Sequence, residues 1–199
     1  DEGWGFGSDF WERCEKLCES AVDVVQLRAK QTSDREVLRV ATRLSRHCRE
    51  ANKVFVVNDR PDIARLAGAH AVHVGQDELS VAQARSIVGP NVLIGVSTHS
   101  LEQAQRAVLD GADYLGVGPV YPSSTKQFQE YVGPQLVRDV SEQISLPCFP
   151  IGGIDESRLA EVISARAKRV AVSQAIWHAE DLLSAAEAMK TELLRANDP

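Results

Sequence analysis

The fold is decided by the stretch VLIGVSTHSLEQAQRAVLDGADYLGV, residues 92–117. It begins with an apolar run at 92–97, continues through a segment of helical periodicity and ends with a second apolar run at 113–117. Ser100 and Gln103 have the spacing of a capping box, in which two side chains bond the backbone N–H groups at a helix start. Two short apolar runs joined by a helix indicate a strand–helix–strand unit with parallel strands.

Short apolar runs of this kind recur along the whole chain, and segments of helical periodicity separate them. A parallel sheet with crossover helices produces this alternation, because its buried strands are apolar on both faces. Ser33 with Glu36 and Ser80 with Gln83 have the capping-box spacing as well, and Asp155 is placed to cap a later helix. The candidate strands lie at 22–27, 53–57, 70–74, 92–97, 113–117, 147–151 and 169–173.

This pattern predicts an α/β fold of the TIM (β/α)8 barrel type, which requires eight strands, each followed by a helix. The seven candidate strands are one fewer than a closed barrel requires. A helix is expected at roughly 9–20, but the residues before it, DEGWGFGS, have the glycine-rich composition of a loop. We therefore expect the first strand to be missing or not recognisable in this chain. An open doubly wound sheet is the structural alternative.

The length of 199 residues fits one barrel domain over 1–199, and the absent first strand would fit the C-terminal part of a longer chain. A formal net charge of -6 argues against a nucleic-acid or membrane partner. No apolar run approaches the roughly 20 residues of a membrane span, and the start does not resemble a signal peptide. The expected location is the cytoplasm, and a homo-oligomer is compatible with the sequence.

Four cysteines, Cys14, Cys18, Cys48 and Cys148, raise the question of a metal site. Cys14 and Cys18 are four residues apart, but the sequence offers neither a second close pair nor a histidine at ligand spacing. We therefore predict reduced thiols that serve in packing.

Cationic and amide side chains gather at the end of the first candidate strand. Gln26 and Arg28 share one face by the two-residue period of a strand, and Lys30 follows just beyond. The carboxyl ends of parallel strands meet at one rim of a barrel. Two cations and an amide at that rim suit a pyrophosphate, whose oxygens accept charge-assisted hydrogen bonds.

Oxygen ligands follow the next two strands. Asn58 and Asp59 end the second run, and Asp77 and Glu78 follow the third. Taken alone, the Asn-Asp pair is more often a helix cap than a metal site. Hard oxygen ligands from neighbouring strand ends, beside a pyrophosphate pocket, predict a magnesium ion that bridges carboxylates and phosphates.

Later strand ends add hydroxyl groups and a further cation. Ser97 and His99 follow the fourth run, and the loop after the fifth carries Ser123, Thr125 and Lys126. Hydroxyl and ammonium groups on such a loop can donate to phosphate, and the loop can close over a substrate.

The last two strand ends resemble a phosphate-binding cup. Gly152 and Gly153 follow the sixth run, and Ser173 and Gln174 follow the seventh. Glycines and free amides at these two positions form the phosphate site of many barrels, where helix N-termini add positive charge.

Taken in order, these motifs resemble the thiamine phosphate synthase family over about residues 22–173. The matching segments are QLRAK, VVNDR, VHVGQDEL, GVSTH, DYLGVGPVYPSSTK, IGGI and AVS. The resemblance implies a magnesium-dependent transferase of thiamine biosynthesis. It would couple 4-amino-2-methyl-5-hydroxymethylpyrimidine pyrophosphate with hydroxyethylthiazole phosphate, giving thiamine phosphate and pyrophosphate. The expected partners are therefore small-molecule substrates, and the expected cofactor is Mg²⁺.

The resemblance also assigns roles to residues by matching position. It implies that the pyrophosphate is held by Gln26, Arg28, Lys30, Asn58 and Lys126. Magnesium would be held by Asp59 and Glu78, or by Asp77 in place of Glu78. Ser97 would lie beside the reacting pyrophosphate, so that the expected catalytic residues are Arg28, Ser97 and Lys126. The thiazole phosphate or the closing loop would involve Ser123, Thr125, Gly153, Val172 and Ser173.

Two other functions are compatible with the same barrel. The thiazole tautomerases share the phosphate cup, but they carry a histidine after the glycine that follows the fifth strand listed above, where this chain has Gly118-Pro119. A non-catalytic phosphate-binding barrel would account for the missing strand and for the order Asp77-Glu78, which differs from the family's usual metal loop. The complete set of Gln26, Arg28, Lys30 and Asp59 favours the synthase.

Overall fold

The computed structural model describes residues 6–123 and 130–197. Across these residues, six short strands alternate with nine helices. In chain order they are α1 (Ser8–Glu19), β1 (Val24–Leu27), α2 (Asp34–Glu50), β2 (Val54–Asn58), α3 (Pro61–Ala67), β3 (Ala71–Val74), α4 (Val81–Val88), β4 (Leu93–Thr98), α5 (Leu101–Leu109), β5 (Tyr114–Val117), α6 (Gly133–Gln143), β6 (Cys148–Pro150), α7 (Glu156–Ser164), α8 (Gln174–Trp177) and α9 (Leu182–Asn197).

Six of the seven predicted strands are confirmed, with bounds that differ by one or two residues. The seventh, at 169–173, is wrong as a strand, since only Ala171 forms an isolated parallel bridge, to Ile151. The Ala171 N–H donates to the Pro150 carbonyl at 2.8 Å. In a regular parallel ladder, the preceding hydrogen bond would run from the N–H of residue 150 to the Arg169 carbonyl. Residue 150 is a proline and has no N–H to donate. The proline in β6 therefore limits the pairing of this segment.

The chain divides into two compact units, Asp1–Ile94 and Gly95–Pro199. In the first unit, β1 pairs with β2 and β2 with β3, all parallel, with Val24 opposite Val54 and Val56 opposite Ala71. One face of α2 is apolar and buried, including Val40 and Leu44. Helix α1 packs on α2.

In the second unit, β4 pairs with β5 and β5 with β6, again in parallel. Tyr114 of β5 lies opposite Gly95 of β4, and its ring covers the space above that glycine. A Cβ atom at Gly95 would lie 2.0 Å from the Tyr114 Cζ atom. Phe149 of β6 packs edge-on against the same ring at 5.6 Å between centroids. Glycine is therefore required at position 95 to admit this aromatic pair.

The helix starts test the predicted caps. The capping box of Ser80 and Gln83 is present in both directions, and the Ser100 and Asp155 side chains accept from the third backbone N–H of their helices. The box predicted at Ser33 is wrong, because its side chain makes no capping bond. Glu36 is instead held by two hydrogen bonds from Arg39, at 2.6 and 2.9 Å. An ion pair one turn along the helix thus replaces the cap.

The predicted opening helix is confirmed as α1, which starts at Ser8. The question of the first strand falls partly on residues 1–5, which lie outside the described residues. Within the parts of the chain that the structure describes, no helix has the length and apolar character needed to cross a bilayer.

Candidate functional site

The ends of β1, β2 and β3 bring one ammonium group and two carboxylates together. Lys30 follows β1 by three residues, Asp59 comes directly after β2, and Glu78 lies in the loop after β3. The Lys30 Nζ atom lies 2.8 Å from Asp59 Oδ2 and 3.3 Å from Glu78 Oε1. The carboxylate side chains are 17% and 28% exposed, so both are partly shielded from water. Three predicted site residues therefore converge at one point.

The backbone of Asp59 fixes its carboxylate in this place. Its φ is 61°, in the left-handed region, which residues other than glycine adopt infrequently. Its N–H donates to the His73 carbonyl at 2.7 Å, one step beyond the pairing of Asn58 with His73. Pro61 then begins α3. Aspartate adopts this conformation more readily than most residues do, and here it places the carboxylate at the strand end.

Glu78 reaches back over the backbone of its own loop. A Cβ atom at Gly75 would lie 2.3 Å from Glu78 Oε2, so glycine leaves the space that the carboxylate occupies. Its neighbour Asp77 is exposed, whereas Glu78 is half-buried. Of these two acids, Glu78 is the one that contacts Lys30.

The electrostatics of this cluster follow from its contacts. The hydrogen bond to Asp59 is the main cause that raises the pKa of Lys30, and Glu78 adds to it. Burial lowers the pKa of His73 to about 4, although Glu78 opposes the shift. The imidazole is therefore neutral at pH 7, and the positive charge facing the two carboxylates comes from Lys30.

Three further predicted pyrophosphate ligands lie at the ends of β1 and β2. Gln26 is exposed, whereas Val25 and Leu27 on the opposite face are buried. Arg28 comes directly after the strand and is half-buried. By the strand period, Arg28 continues the face of Gln26. Asn58, at the end of β2, is half-buried as well.

In the second unit, the loops after β5 and β6 run side by side. The N–H of Val120 donates to the Ile151 carbonyl at 2.9 Å, and that of Tyr121 donates to the Gly152 carbonyl at 3.0 Å. Gly153 has a φ of 62°, and a Cβ atom there would lie 2.3 Å from the Pro122 carbonyl oxygen. This close approach requires glycine at position 153.

The other predicted residues of this unit lie around those loops. Ser97 is half-buried on β4, opposite Gly116. His99 holds the loop after β5, since its Nδ1 atom is hydrogen-bonded to the Gly118 carbonyl, and the Gly118–Pro119 peptide is cis. Half-buried positions are occupied by Ser123 and Val172, and an exposed one by Ser173. Thr125 and Lys126 lie outside the described residues.

The family model described as thiamine monophosphate synthase (TMP-TENI) matches residues 1–176. The chain belongs to this family. The thiamine monophosphate synthase family was the one predicted from the ordered motifs, and that prediction is confirmed.

Curated relatives agree with the family model. The chain is 52% identical over 158 residues to the thiamine-phosphate synthase of Gloeobacter violaceus, and 38% identical over 192 residues to that of Shouchella clausii. It spans about half the length of the first relative, 46%, and 92% of the second. The synthase family thus includes both proteins of about this length and longer ones.

A solved member of the family has the same fold. Thiamine phosphate pyrophosphorylase from Pyrococcus furiosus superimposes with a TM-score of 0.86 at 30% sequence identity, covering 94% of this chain and 90% of that one. The predicted α/β, TIM-like class is therefore confirmed, in a chain whose described residues form six parallel strands.

Tyr121 and two side chains outside the family motifs, Arg158 and Glu161, support the paired loops of the second unit. Arg158 Nη1 donates to the Gly153 carbonyl at 2.6 Å, and its guanidinium lies 4.9 Å from the Tyr121 ring centroid. The Tyr121 hydroxyl donates to Glu161 Oε2 at 2.6 Å. Sequence reasoning missed Arg158 and Glu161. The signal available was their spacing of three residues on the helix that Asp155 caps, which places both on one side of α7.

Proposed function

We propose that this chain couples 4-amino-2-methyl-5-hydroxymethylpyrimidine pyrophosphate with hydroxyethylthiazole phosphate, giving thiamine phosphate and pyrophosphate. The names of the curated relatives support this activity, including one matched over 92% of its length. The observation that carries the proposal is the Lys30 ammonium group held by Asp59 and Glu78. Arg28 directly follows β1, the strand that Lys30 follows as well. Cations and carboxylates in this arrangement suit a pyrophosphate substrate with a bridging metal.

The reaction needs a good leaving group more than a nucleophilic side chain. The C–O bond between the pyrimidine methylene and the pyrophosphate breaks, and its electron pair leaves with the pyrophosphate. The thiazole nitrogen then donates its lone pair to the methylene cation. Negative charge grows on the pyrophosphate as the bond breaks, so prepositioned cations stabilise the transition state more than the ground state.

Each predicted residue has a part in this reaction. Ser97 is positioned beside the reacting pyrophosphate, and Arg28 with Lys126 neutralises its growing charge. The pyrophosphate is bound by Gln26, Arg28, Lys30, Asn58 and Lys126. The thiazole phosphate or the closing loop involves Ser123, Thr125, Gly153, Val172 and Ser173.

Magnesium is proposed as the cofactor of this reaction. The described residues contain no cluster of three or more histidine, cysteine or acidic side chains at metal-binding distances. Asp59 and Glu78 nevertheless fit a divalent cation that also takes phosphate oxygens, because both carboxylates already face one positive group. Bound there, Mg²⁺ would neutralise pyrophosphate charge. Glu78 is proposed as the second ligand in preference to Asp77, since Asp77 is exposed.

Asp59→Asn is expected to raise the magnesium concentration for half-maximal activity by at least tenfold, because a neutral amide is a weaker ligand for a hard cation than a carboxylate. Glu78→Gln should have a similar effect, and Asp77→Asn, the matched control from the same loop, should have little. Magnesium titrations of initial rate measure all three. Equal magnesium dependence in the parent and the three variants would remove the metal assignment.

The remaining expectations about the molecule belong to the same proposal. We propose that residues 1–199 form one barrel domain of the (β/α)8 type in which the first strand is missing or supplied by an unrecognised segment. A cytoplasmic location, the lack of nucleic-acid and membrane partners and the compatibility with a homo-oligomer stay predictions.

Release of pyrophosphate tests the proposed activity. The protein is incubated with both substrates and Mg²⁺, and pyrophosphate and the thiazolium product are followed together. Both should appear in equal amounts. A thiazole tautomerase would isomerise its substrate without releasing pyrophosphate, and a phosphate-binding barrel would turn over neither substrate. Gly118-Pro119, where the tautomerases carry a histidine, disfavours the first of these.

A further inference from the structure

Three of the four cysteines come together between α1 and α2. Cys14 and Cys18 are one helical turn apart on α1, and Cys48 lies near the end of α2. The Cys18 and Cys48 sulfur atoms are 3.8 Å apart, although 30 positions separate the two residues. All four cysteines of the chain are free thiols. The sequence showed only the Cys14–Cys18 spacing, whereas the contact is between Cys18 and Cys48.

The surroundings of the pair distinguish its two sulfur atoms. The hydrogen bond with Cys48 is the main cause that lowers the pKa of Cys18, and the charge of Lys53, which acts on both thiols, lowers it further, against the effect of burial. Lys53 is fixed nearby, because its ammonium group donates to the Ser20 carbonyl at 2.9 Å. The same sulfur–sulfur bond and burial raise the pKa of Cys48. Either sulfur atom can donate in this bond, and the lowered pKa of Cys18 favours the thiolate at that position.

We propose that Cys18 and Cys48 form an oxidisable dithiol site, in which a peroxide converts the two neighbouring thiols into a disulfide that joins α1 to α2. The Cys18 thiolate attacks one peroxide oxygen, the O–O bond breaks, and a sulfenic acid and one water form. The Cys48 sulfur then attacks the Cys18 sulfur and displaces the hydroxyl group as a second water. Two thiols lose two electrons in total, and one hydrogen peroxide is reduced to two waters.

Access to the pair depends on α1. Cys18 is 5% exposed and Cys48 is fully buried, so the oxidant reaches them when α1 moves away from α2. Arg43 of α2 also holds the two helices together. Its guanidinium group lies 3.8 Å from the ring centroid of Trp11 and 3.4 Å from the Glu15 carboxylate, both on α1. Oxidation should therefore be slow in the native protein and faster in Arg43→Ala.

The other two cysteines serve as internal controls. Burial is the main cause that raises the pKa of Cys14 to about 12, so this thiol forms little thiolate near neutral pH. Cys148 belongs to the second unit, and burial raises its pKa to about 11. Neither should enter the first disulfide.

The experiment treats the whole chain with hydrogen peroxide, blocks the remaining thiols with iodoacetamide and identifies disulfide-linked peptides by mass spectrometry without reduction. The expected result is a link between Cys18 and Cys48, with free thiols falling from four to two. Closing a loop of this length should raise the Tm by about 5–10 °C, and dithiothreitol should reverse the shift.

Single cysteine-to-alanine variants test which two thiols form the disulfide. Cys18→Ala and Cys48→Ala should abolish the link and the Tm shift, whereas Cys14→Ala and Cys148→Ala should keep both. If an alanine variant fails to fold, the peptide map of the parent protein still identifies the pair. A first link through Cys14 or Cys148 would overturn the proposal. Four thiols that survive peroxide in Arg43→Ala, where α1 is loosened, would overturn it as well.

Discussion

Arg28→Ala is expected to lower kcat/KM by about 30- to 1000-fold while the protein stays folded. The guanidinium group is proposed to neutralise charge that grows on the leaving pyrophosphate, and loss of one such group costs about 2–4 kcal/mol in the barrier. The fold should tolerate the change, because Arg28 follows β1 and is half-buried, whereas Val25 and Leu27 keep the buried face of the strand.

Steady-state kinetics and circular dichroism check this result together. Arg46→Ala is the matched control, since Arg46 is 67% exposed on α2 and lies 4.0 Å from Glu50. It should leave kcat/KM unchanged, and Arg28→Lys should retain part of the activity. Lys126→Ala, at a position outside the described residues, is expected to behave like Arg28→Ala. Unchanged kcat/KM in folded Arg28→Ala would show that the pyrophosphate site is wrongly assigned.

Gly153→Ala is expected to destabilise the protein by about 2–4 kcal/mol and to raise the KM for the thiazole phosphate. Two causes add at this position. The φ of 62° is costly for any residue with a Cβ atom, and that atom would lie 2.3 Å from the Pro122 carbonyl oxygen and 2.9 Å from Tyr121 Cβ. Because backbone atoms cannot turn aside as a flexible side chain can, the paired loops must separate.

Gly111→Ala is a control that separates the backbone cost of a positive φ from the collision of the added Cβ atom. Gly111 has a φ of 86°, but a Cβ atom there would meet nothing within 4 Å. The control should therefore show the backbone cost alone, about 1–2 kcal/mol, with unchanged kinetics. Urea unfolding measures both variants. Equal loss of stability in the two would mean that the loops after β5 and β6 adjust without strain.

The regular elements were predictable because they depend on local sequence. Apolar runs and helical periodicity located six strands, and the caps at Ser80, Ser100 and Asp155 follow from short-range spacing. The prediction failed where a competing contact decided the outcome. Arg39 takes the side chain of Glu36 that the cap at Ser33 would need. Pro150 lacks the N–H that would extend the pairing of the last apolar run.

The candidate site was predictable to the level of residue type and strand end. The alternation of elements brings the ends of β1, β2 and β3 together, so Lys30, Asp59 and Glu78 could be expected near one another. The direct contact of Lys30 with both carboxylates could not be predicted, because it depends on the left-handed backbone at Asp59. The bond from Arg158 to Gly153 depends similarly on how α7 packs against two loops.

The single bridge at Ala171 has a consequence for the motion of the segment around residues 171–173. Val172 and Ser173 are proposed for the thiazole phosphate or the closing loop. They follow Ala171, which forms one isolated bridge to Ile151 just after β6, whereas β5 and β6 share a three-residue register. Segments with so few backbone bonds open at a small fraction of the free energy of global unfolding. The amide hydrogens around 171–173 should thus exchange with solvent sooner than those of β5. A bound phosphate would slow that exchange, and part of its binding energy would be spent on ordering this segment.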